Sequence, residues 1–521
     1  MKRIVHILSA LLLTSSLSWG ANIVWSNSND GTYSTVGNWY GGAVPGITDR
    51  AIWASNYNLT VSLTATATNM SSAFLRGNTI WDLGSQSLVV SNLFVGSNDV
   101  ASCSVRLGSG DVRVLNVATI GTNMPFNILT VGSGARLISG GLTMGGTAAG
   151  NSNSLYVTGG GKVSSLGFAM GAAGMSNTLV IAGAGSTVSN LSFNCGGGGR
   201  NNAVFITNGG SLFVTNGAFA LGGTAGGSNC AMVVSGSGSR FALLNGGGVT
   251  LGAANSRNTS LVVSDGALFA VVSSGNQTAF YGANIQILDS TFTNAGASMR
   301  FTGNSANPTT ILFRNSLCYN ATDTRLGETG GKDFFAVDSN AVYTVNSFIS
   351  VGYGLSSNNV FSVSNGSKVF VQGGVRLGYV AGAYSNTFQV DNSTIWIRDG
   401  IGSGTNVSTT ANLFKVSNGG SVTSGPVNIG SNSTMLVMSG SKMTITNLVS
   451  NLGNIVVTDW YGLPGQAGMN TRLWTSNALS QSLLNSIQFT GYSGATRLAS
   501  GEVVPTQKIP DGHGGGMMIL K

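Results

Sequence analysis

The sequence predicts an all-β chain: a single-stranded, right-handed, three-sided parallel β-helix of about 16 coils, each of about 25 residues. Three observations carry that expectation. The segment at 129–137, LTVGSGARL, returns with small variations as Leu155-Tyr156-Val157, Leu179-Val180-Ile181, Val204-Phe205-Ile206, Met232-Val233-Val234 and Leu261-Val262-Val263. A second apolar position recurs at the same spacing and is followed each time by glycine. Composition agrees, because 78 Gly, 7 Pro and only 8% charged residues disfavour long surface helices and suit short strands joined by tight turns. The 42% of hydrophobic residues, placed at regular phase, argue against disorder.

The first column reads Val61, Leu83, Leu107, Val131, Val157, Ile181, Ile206, Val234, Val263, Ile287, Phe313, Val337, Val363, Val390, Val416 and Met438, at intervals of 22 to 29 residues. Most members have an apolar residue two positions earlier, which is the period of a strand. The second column reads Val95, Ile120, Met144, Met170, Cys195, Leu221, Leu251, Val351, Leu377, Ile401 and Ile429. The glycines that follow it, among them Gly145, Gly171, Gly196, Gly222, Gly252, Gly378 and Gly402, mark corners that need positive φ or close backbone approach. A third short strand lies between the columns, as at Ser211-Leu212-Phe213-Val214. Three strands and three turns make one coil.

Two positions before the inward strand residue stand Asn127, Asn153, Asn177, Asn202, Asn359, Asn386 and Asn412. Amides repeated at one corner predict a ladder that bonds neighbouring coils and satisfies turn groups otherwise left unpaired. Thr259, Thr309, Thr434 and Asp333 take the same phase. Sixteen coils stacked at about 4.8 Å would reach a height on the order of 75 Å.

Residues 1–20 stand apart. Lys2 and Arg3 open them, residues 4–13 are mostly apolar, and Ser18-Trp19-Gly20 offers small residues before a cut at Ala21. That is the pattern of a secretory signal peptide, with an apolar core too short to cross a bilayer. The predicted organisation is a signal peptide at 1–20, an N-terminal cap at 21–58, β-helix repeats at 59–458, and a C-terminal cap and tail at 459–521. No later stretch reaches eighteen consecutive apolar residues, so no transmembrane segment is expected in the mature chain. Loss of Lys2 and Arg3 takes the formal net charge from +8 to +6, and the remaining cations form no basic run, which argues against a nucleic-acid partner.

Trp25, Gly37-Asn38-Trp39, Pro45 and Asp49-Arg50-Ala51 form a pattern that resembles the opening segment of exported bacterial β-solenoids, those of the autotransporter (type V secretion) and PEP-CTERM-associated repeat families. Its aromatic residues either cover the open apolar end of the stack or form a platform for sugars. The cap reading is preferred, because every stack of coils has such an end. The form Leu/Val-Gly-x(n)-Asn-x-Leu-x-Val-x-x-Gly-Gly-x-Val, clearest at 221–241 and 351–370, resembles the repeat of the same families over residues 95–450. The resemblance implies a pectin-lyase-like solenoid and an extracellular or outer-surface location on a bacterium. It implies no particular activity.

The tail departs at Asp459-Trp460-Tyr461-Gly462-Leu463-Pro464, and residues 479–487 predict one short helix. Residues 489–495 and 501–505 resemble the closing segment of PEP-CTERM-type surface proteins. The sorting signal expected after Pro505 is not seen, and there is no room for a translocator barrel.

Four cysteines in an exported chain invite disulfides. Cys195, however, stands in a column of apolar residues and is expected to pack as one. Cys103 and Cys230 share a phase five turns apart, too far for a bridge, and Cys318 has no partner in the pattern. No disulfide framework is expected.

Parallel β-helices include polysaccharide lyases and glycosidases, so carboxyl groups matter. Glycoside hydrolysis needs two of them close together, and a lyase needs a base, usually with Arg or Lys and often calcium. The richest charged cluster is Asp323, Arg325, Glu328, Lys332, Asp333 and Asp338, in which Asp333 and Asp338 are the candidate catalytic acids. The structural reading sets Asp333 in the ladder phase and Asp338 directly after inward Val337. Asp265, Asp289 and Asp391 follow the same column by one or two residues. One histidine, His513, remains after export, so histidine chemistry is nearly excluded. The turns carry Ser and Asn where calcium-binding nonapeptide repeats need Asp, and the Gly-rich run at 196–199 lacks the strand–turn–helix context of a phosphate loop. No metal and no cofactor are expected.

The function expected from these features is that of an exported, surface-associated or released structural or adhesive protein without catalysis. Its partners would be extracellular glycans or surface proteins. The alternative is an extracellular polysaccharide lyase or glycoside hydrolase on the same scaffold. Near-constant coil length leaves little material for the cleft such an enzyme builds.

Overall fold

The computed structural model describes residues 20–96, 102–224, 226–254, 256–272, 277–296, 298–303, 306–380, 382–403 and 411–510. The proposed signal segment, apart from Gly20, and His513 lie outside them. The chain is nearly all-β, with parallel coils stacked into a β-solenoid of about 16 turns. It divides into two units, Met1–Asn245 and Gly246–Lys521.

In the first unit each strand pairs in parallel with its equivalent one coil on. Ser154–Thr158, for example, lies between Ile128–Val131 and Thr178–Ala182, with Val157 opposite both Val131 and Ile181. Alternation puts Leu155 and Val157 fully inside and leaves Tyr156 half-buried, as a strand with one dry face requires. A second inward column runs Trp53, Phe74, Val95, Ile120, Met144, Met170, Cys195 and Leu221 by direct register. The first column differs from the sequence expectation at one coil, where Val61 pairs with Trp81 and Trp81 with Leu107. Leu83 is buried two residues further along the same strand. Period-two alternation made either residue acceptable.

Parallel stacking begins before residue 59. Asn22–Val24 pairs with Arg50–Trp53, and that strand with Ala67–Phe74. The aromatic residues of this end are interior: Trp25, Trp39, Trp53 and Trp81 are at most 2% exposed. Trp53 stacks on Phe74 at 4.6 Å and meets Trp81 edge-on at 5.3 Å and Trp39 at 5.5 Å. Trp39 donates its Nε1 hydrogen to the Tyr33 carbonyl at 2.7 Å. The cluster packs ring against ring in the apolar interior.

In the second unit the first column continues as Val263, Ile287, Phe313, Val337, Val363, Val390, Val416, Val437, Val457 and Phe489. Val437, not Met438, holds the register, and Met438 is only half-buried. Phe335, Phe361, Phe388 and Phe414 stack ring on ring at 4.7, 4.8 and 5.3 Å, one per coil. In the second column Leu377 pairs with Ser403, and Ile401 pairs with Val375. Gly402 therefore stands opposite outward-facing Arg376 instead of at a corner.

Parallel pairing also extends past residue 458, to Arg472–Thr475 and Ile487–Phe489. The helix expected at 479–487 occupies Gln481–Asn485, with Ser480 accepting from the Leu483 amide at its start. An antiparallel hairpin, Tyr492–Arg497 with Glu502–Lys508, then pairs antiparallel with Arg472–Thr475. Reversal of direction ends the repeat of parallel edges. Among the described residues no helix is long and apolar enough to cross a membrane.

Candidate functional site

The asparagine corner is a continuous hydrogen-bonded ladder in each unit. Asn153 Oδ1 accepts from the Asn127 backbone amide at 2.9 Å and from its Nδ2 at 3.0 Å. Asn177 Oδ1 accepts likewise from Asn153, and Asn202 Oδ1 from Asn177, at 3.0–3.2 Å. Asn359, Asn386 and Asn412 repeat this in the second unit, where Asn386 accepts from Asn359 and Asn412 from Asn386. All seven are at most 1% exposed. The register gives this position to Ser433 and not Thr434, since Thr434 pairs with Leu413.

The ladder explains the glycines. Gly145, Gly171, Gly196, Gly222, Gly252 and Gly378 have φ of 62°, 64°, 76°, 64°, 77° and 63°. At Gly171 a Cβ would lie 2.3 Å from Asn202 Nδ2, so the corner needs both the left-handed backbone and the missing side chain.

Cysteines replace asparagine at two ladder positions. The Cys103 amide donates to Asn127 Oδ1 at 3.0 Å, and Cys230 follows Asn202. The Cys230 sulfur packs against the corner Gly196, where a Cβ would lie 2.3 Å from it, beside Cys195, an approach hidden in the sequence, and burial drives Cys195 well above its usual pKa. All four cysteines are buried and free.

The charged cluster of 323–338 does not converge on one site. Asp333, 1% exposed, sits in the ladder and accepts from the amides of Thr309 at 2.8 Å, Gly303 at 3.1 Å and Gly327 at 3.2 Å. Its own amide donates to Asn359 Oδ1. Burial outweighs these bonds and pushes its pKa up to about 6. Asp338 ends the strand Phe334–Asp338 and accepts from Ser364 at 2.8 Å, Asn365 at 2.6 Å and Ser339 at 2.9 Å, with Arg314 at 3.5 Å. Burial raises the Asp338 carboxyl, but these partners hold it below its usual value. Asp391 accepts in the same way from Ser417 and Asn418 of the next coil, and Asp289 accepts from Asn315. Asp265 accepts from Ser264 in its own turn. Asp338, Asp391 and Asp289 thus clasp one coil to the next.

Asp323 pairs with Arg325, and Glu328 with Arg300 at 2.8 Å. Among the described residues no group of three or more His, Cys, Asp or Glu side chains is arranged to hold a metal ion.

Asp333 gives a pH-dependent expectation. Its folded pKa of about 6 lies above the unfolded value of about 3.9, so the folded state binds the proton more tightly. The resulting penalty is absent below about pH 4, grows as pH rises to about 6, and is constant above, reaching about 3 kcal/mol. Asp333→Asn keeps an acceptor for the Thr309 and Gly303 amides and is expected to raise the unfolding midpoint at pH 7 but not at pH 4. Denaturant unfolding at the two values checks this, and equal differences at both would refute it.

The second unit also carries a surface feature that the sequence did not indicate. Arg300, Arg325, Ser350, Arg376, Gly402, Asn428 and Ser450 occupy one outward register position on successive coils. Beside them Tyr353 and Tyr379 stack at 5.4 Å, with Arg325 over Tyr353 at 4.4 Å and Arg376 over Tyr379 at 4.8 Å. Arg376 also lies 3.7 Å from the Phe348 ring centroid. Phe348, Arg376, Tyr379, Asp399, Gly402 and Asn428 help line a groove of about 360 Å³.

Fold and surface together define a parallel β-solenoid with an arginine–aromatic strip. No family model, curated protein or solved structure matches the chain.

Proposed function

We propose that this chain is an exported, non-catalytic β-solenoid that serves at the bacterial surface, or after release, as a structural or adhesive scaffold. The observation that carries the reading is the use of its acids. Asp333 is a rung of the ladder, Asp338 and Asp391 clasp successive coils, and Asp323 and Glu328 neutralise arginines. A general acid and a nucleophile need carboxyl groups poised toward solvent and substrate. Here the same groups hold coils together. Broad repeated faces suit many weak contacts with glycans or neighbouring proteins.

Expression in a bacterial host followed by fractionation tests export: the protein is expected at the outer surface or in the medium, with Ala21 as its new amino terminus. Incubation with a panel of polysaccharides is expected to release neither reducing ends nor unsaturated sugars. Turnover that disappears in Asp338→Asn would replace this reading with the lyase or hydrolase alternative.

A further inference from the structure

We propose that the notch between Arg376 and Asn428 binds an acidic polysaccharide, a polyuronate chain whose carboxylate is held by the Arg376 guanidinium. The proposal rests on the non-catalytic reading above: the chain is held and not cut.

Arg376 differs from the arginines around it. Arg300 is paired with Glu328, Arg325 with Asp323, Arg398 with Asp399 and Arg314 with Asp338. Arg376 makes no ion pair or side-chain hydrogen bond among the described residues, and its contacts are the Phe348 and Tyr379 rings. A guanidinium held over aromatic faces loses little freedom on binding, and its N–H donors lie in its plane, where a carboxylate meets them two at a time. Asp399 also lines the groove, but its carboxylate is engaged by Arg398 at 2.8 Å and held below its usual pKa by that bond. The groove therefore offers one unspent positive charge, suited to a single carboxylate of the chain.

Space for a sugar comes from Gly402. It fills the outward position between Arg376 and Asn428, so the column of side chains is interrupted there. Exposed Pro426 and Val449 contribute apolar lining for the C–H face of a pyranose, and Asn428, whose Oδ1 accepts from the Ser450 hydroxyl, has its Nδ2 to donate to hydroxyls. A polymer fits better than a free anion, because the lining residues come from successive coils.

Calorimetric titration of the full chain with polygalacturonate oligosaccharides tests the site. Saturable binding is expected, weakened at least tenfold in Arg376→Gln and absent for the carboxyl-reduced polymer. Asn428→Asp, which places an acid at the other wall of the notch, is expected to weaken binding by a similar factor and guards against a folding defect in the first variant. The proposal is overturned by lack of saturable binding to the unmodified chain, by equal binding of the carboxyl-reduced polymer, or by both folded variants binding like the parent. Unsaturated or reducing products in the titration cell would overturn the scaffold reading separately, while bound polymer without product supports both.

Discussion

Replacing Leu221 with aspartate is expected to destabilise the first unit by more than about 5 kcal/mol at neutral pH. Two effects add. Leu221 is fully buried, and removing a core leucine costs about 2–5 kcal/mol in lost transfer energy and residual cavity. Its replacement carries a charge into a column where Leu221 stands opposite Cys195 and near Phe219, with no cation to meet it. The buried carboxyl takes up a proton instead, so its folded pKa lies above its unfolded one. The charge penalty should therefore be largest at pH 7 and fall as pH drops toward 4. Because coils in a solenoid contact only their neighbours, hydrogen exchange should rise first around residues 193–221 and least at the aromatic end. Ala220→Asp is the control, since Ala220 lies on the outward side of the same short strand, opposite Asn194. It is expected to cost less than about 1 kcal/mol. Unfolding midpoints that rank the two variants equally would contradict the inward phase.

The phase was legible because burial constrains every second residue of every coil. Val131, Val157 and Ile181 can be read from the sequence since a polar residue there would face a dry interior. The same constraint explains where pattern and register differ. Leu83 beside Trp81, Met438 beside Val437, and Ile401 two residues before Ser403 all lie within one alternation of the true register. Apolar character alone does not choose between such neighbours. The asparagine ladder was legible for a different reason, that one residue type recurs at one corner. Asp333 could be placed in it because a carboxylate accepts the same backbone amides as an asparagine oxygen.

Outward positions carry no such signal. Phe348, Arg376 and Tyr379 meet because the coil returns the chain to the same face, and packing does not dictate which residue stands there. Cys195 and Cys230 meet for the same reason at a corner. Arg325 read as part of one cluster with Asp333 and Asp338 since all three fall within a short stretch. The fold separates them to an outward face, an inner corner and the end of a strand. Nearness in sequence is a poor guide to a site when each strand is only a few residues long.

The aromatic end supplies a second large effect. Trp53→Ala is expected to cost about 3–5 kcal/mol, the range for removing a large aromatic side chain from a core. Trp53 is 1% exposed and touches Trp25, Trp39, Phe74 and Trp81 in one cluster, so its loss opens a cavity bordered by rings that cannot collapse without leaving each other. The strand that carries it, Arg50–Trp53, lies between Asn22–Val24 and Ala67–Phe74, and the damage should spread to both as faster amide exchange. Tyr40, 78% exposed in the same segment, provides the contrast: Tyr40→Ala should leave the midpoint within about 0.5 kcal/mol of the parent. The pair also decides between the two readings of these aromatic residues. A cap predicts loss of stability in Trp53→Ala with glycan binding at the Arg376 groove unchanged in the second unit. A sugar platform predicts a stable variant that has lost a glycan contact, and that outcome would require the tryptophans to be reached by solvent, which their burial opposes.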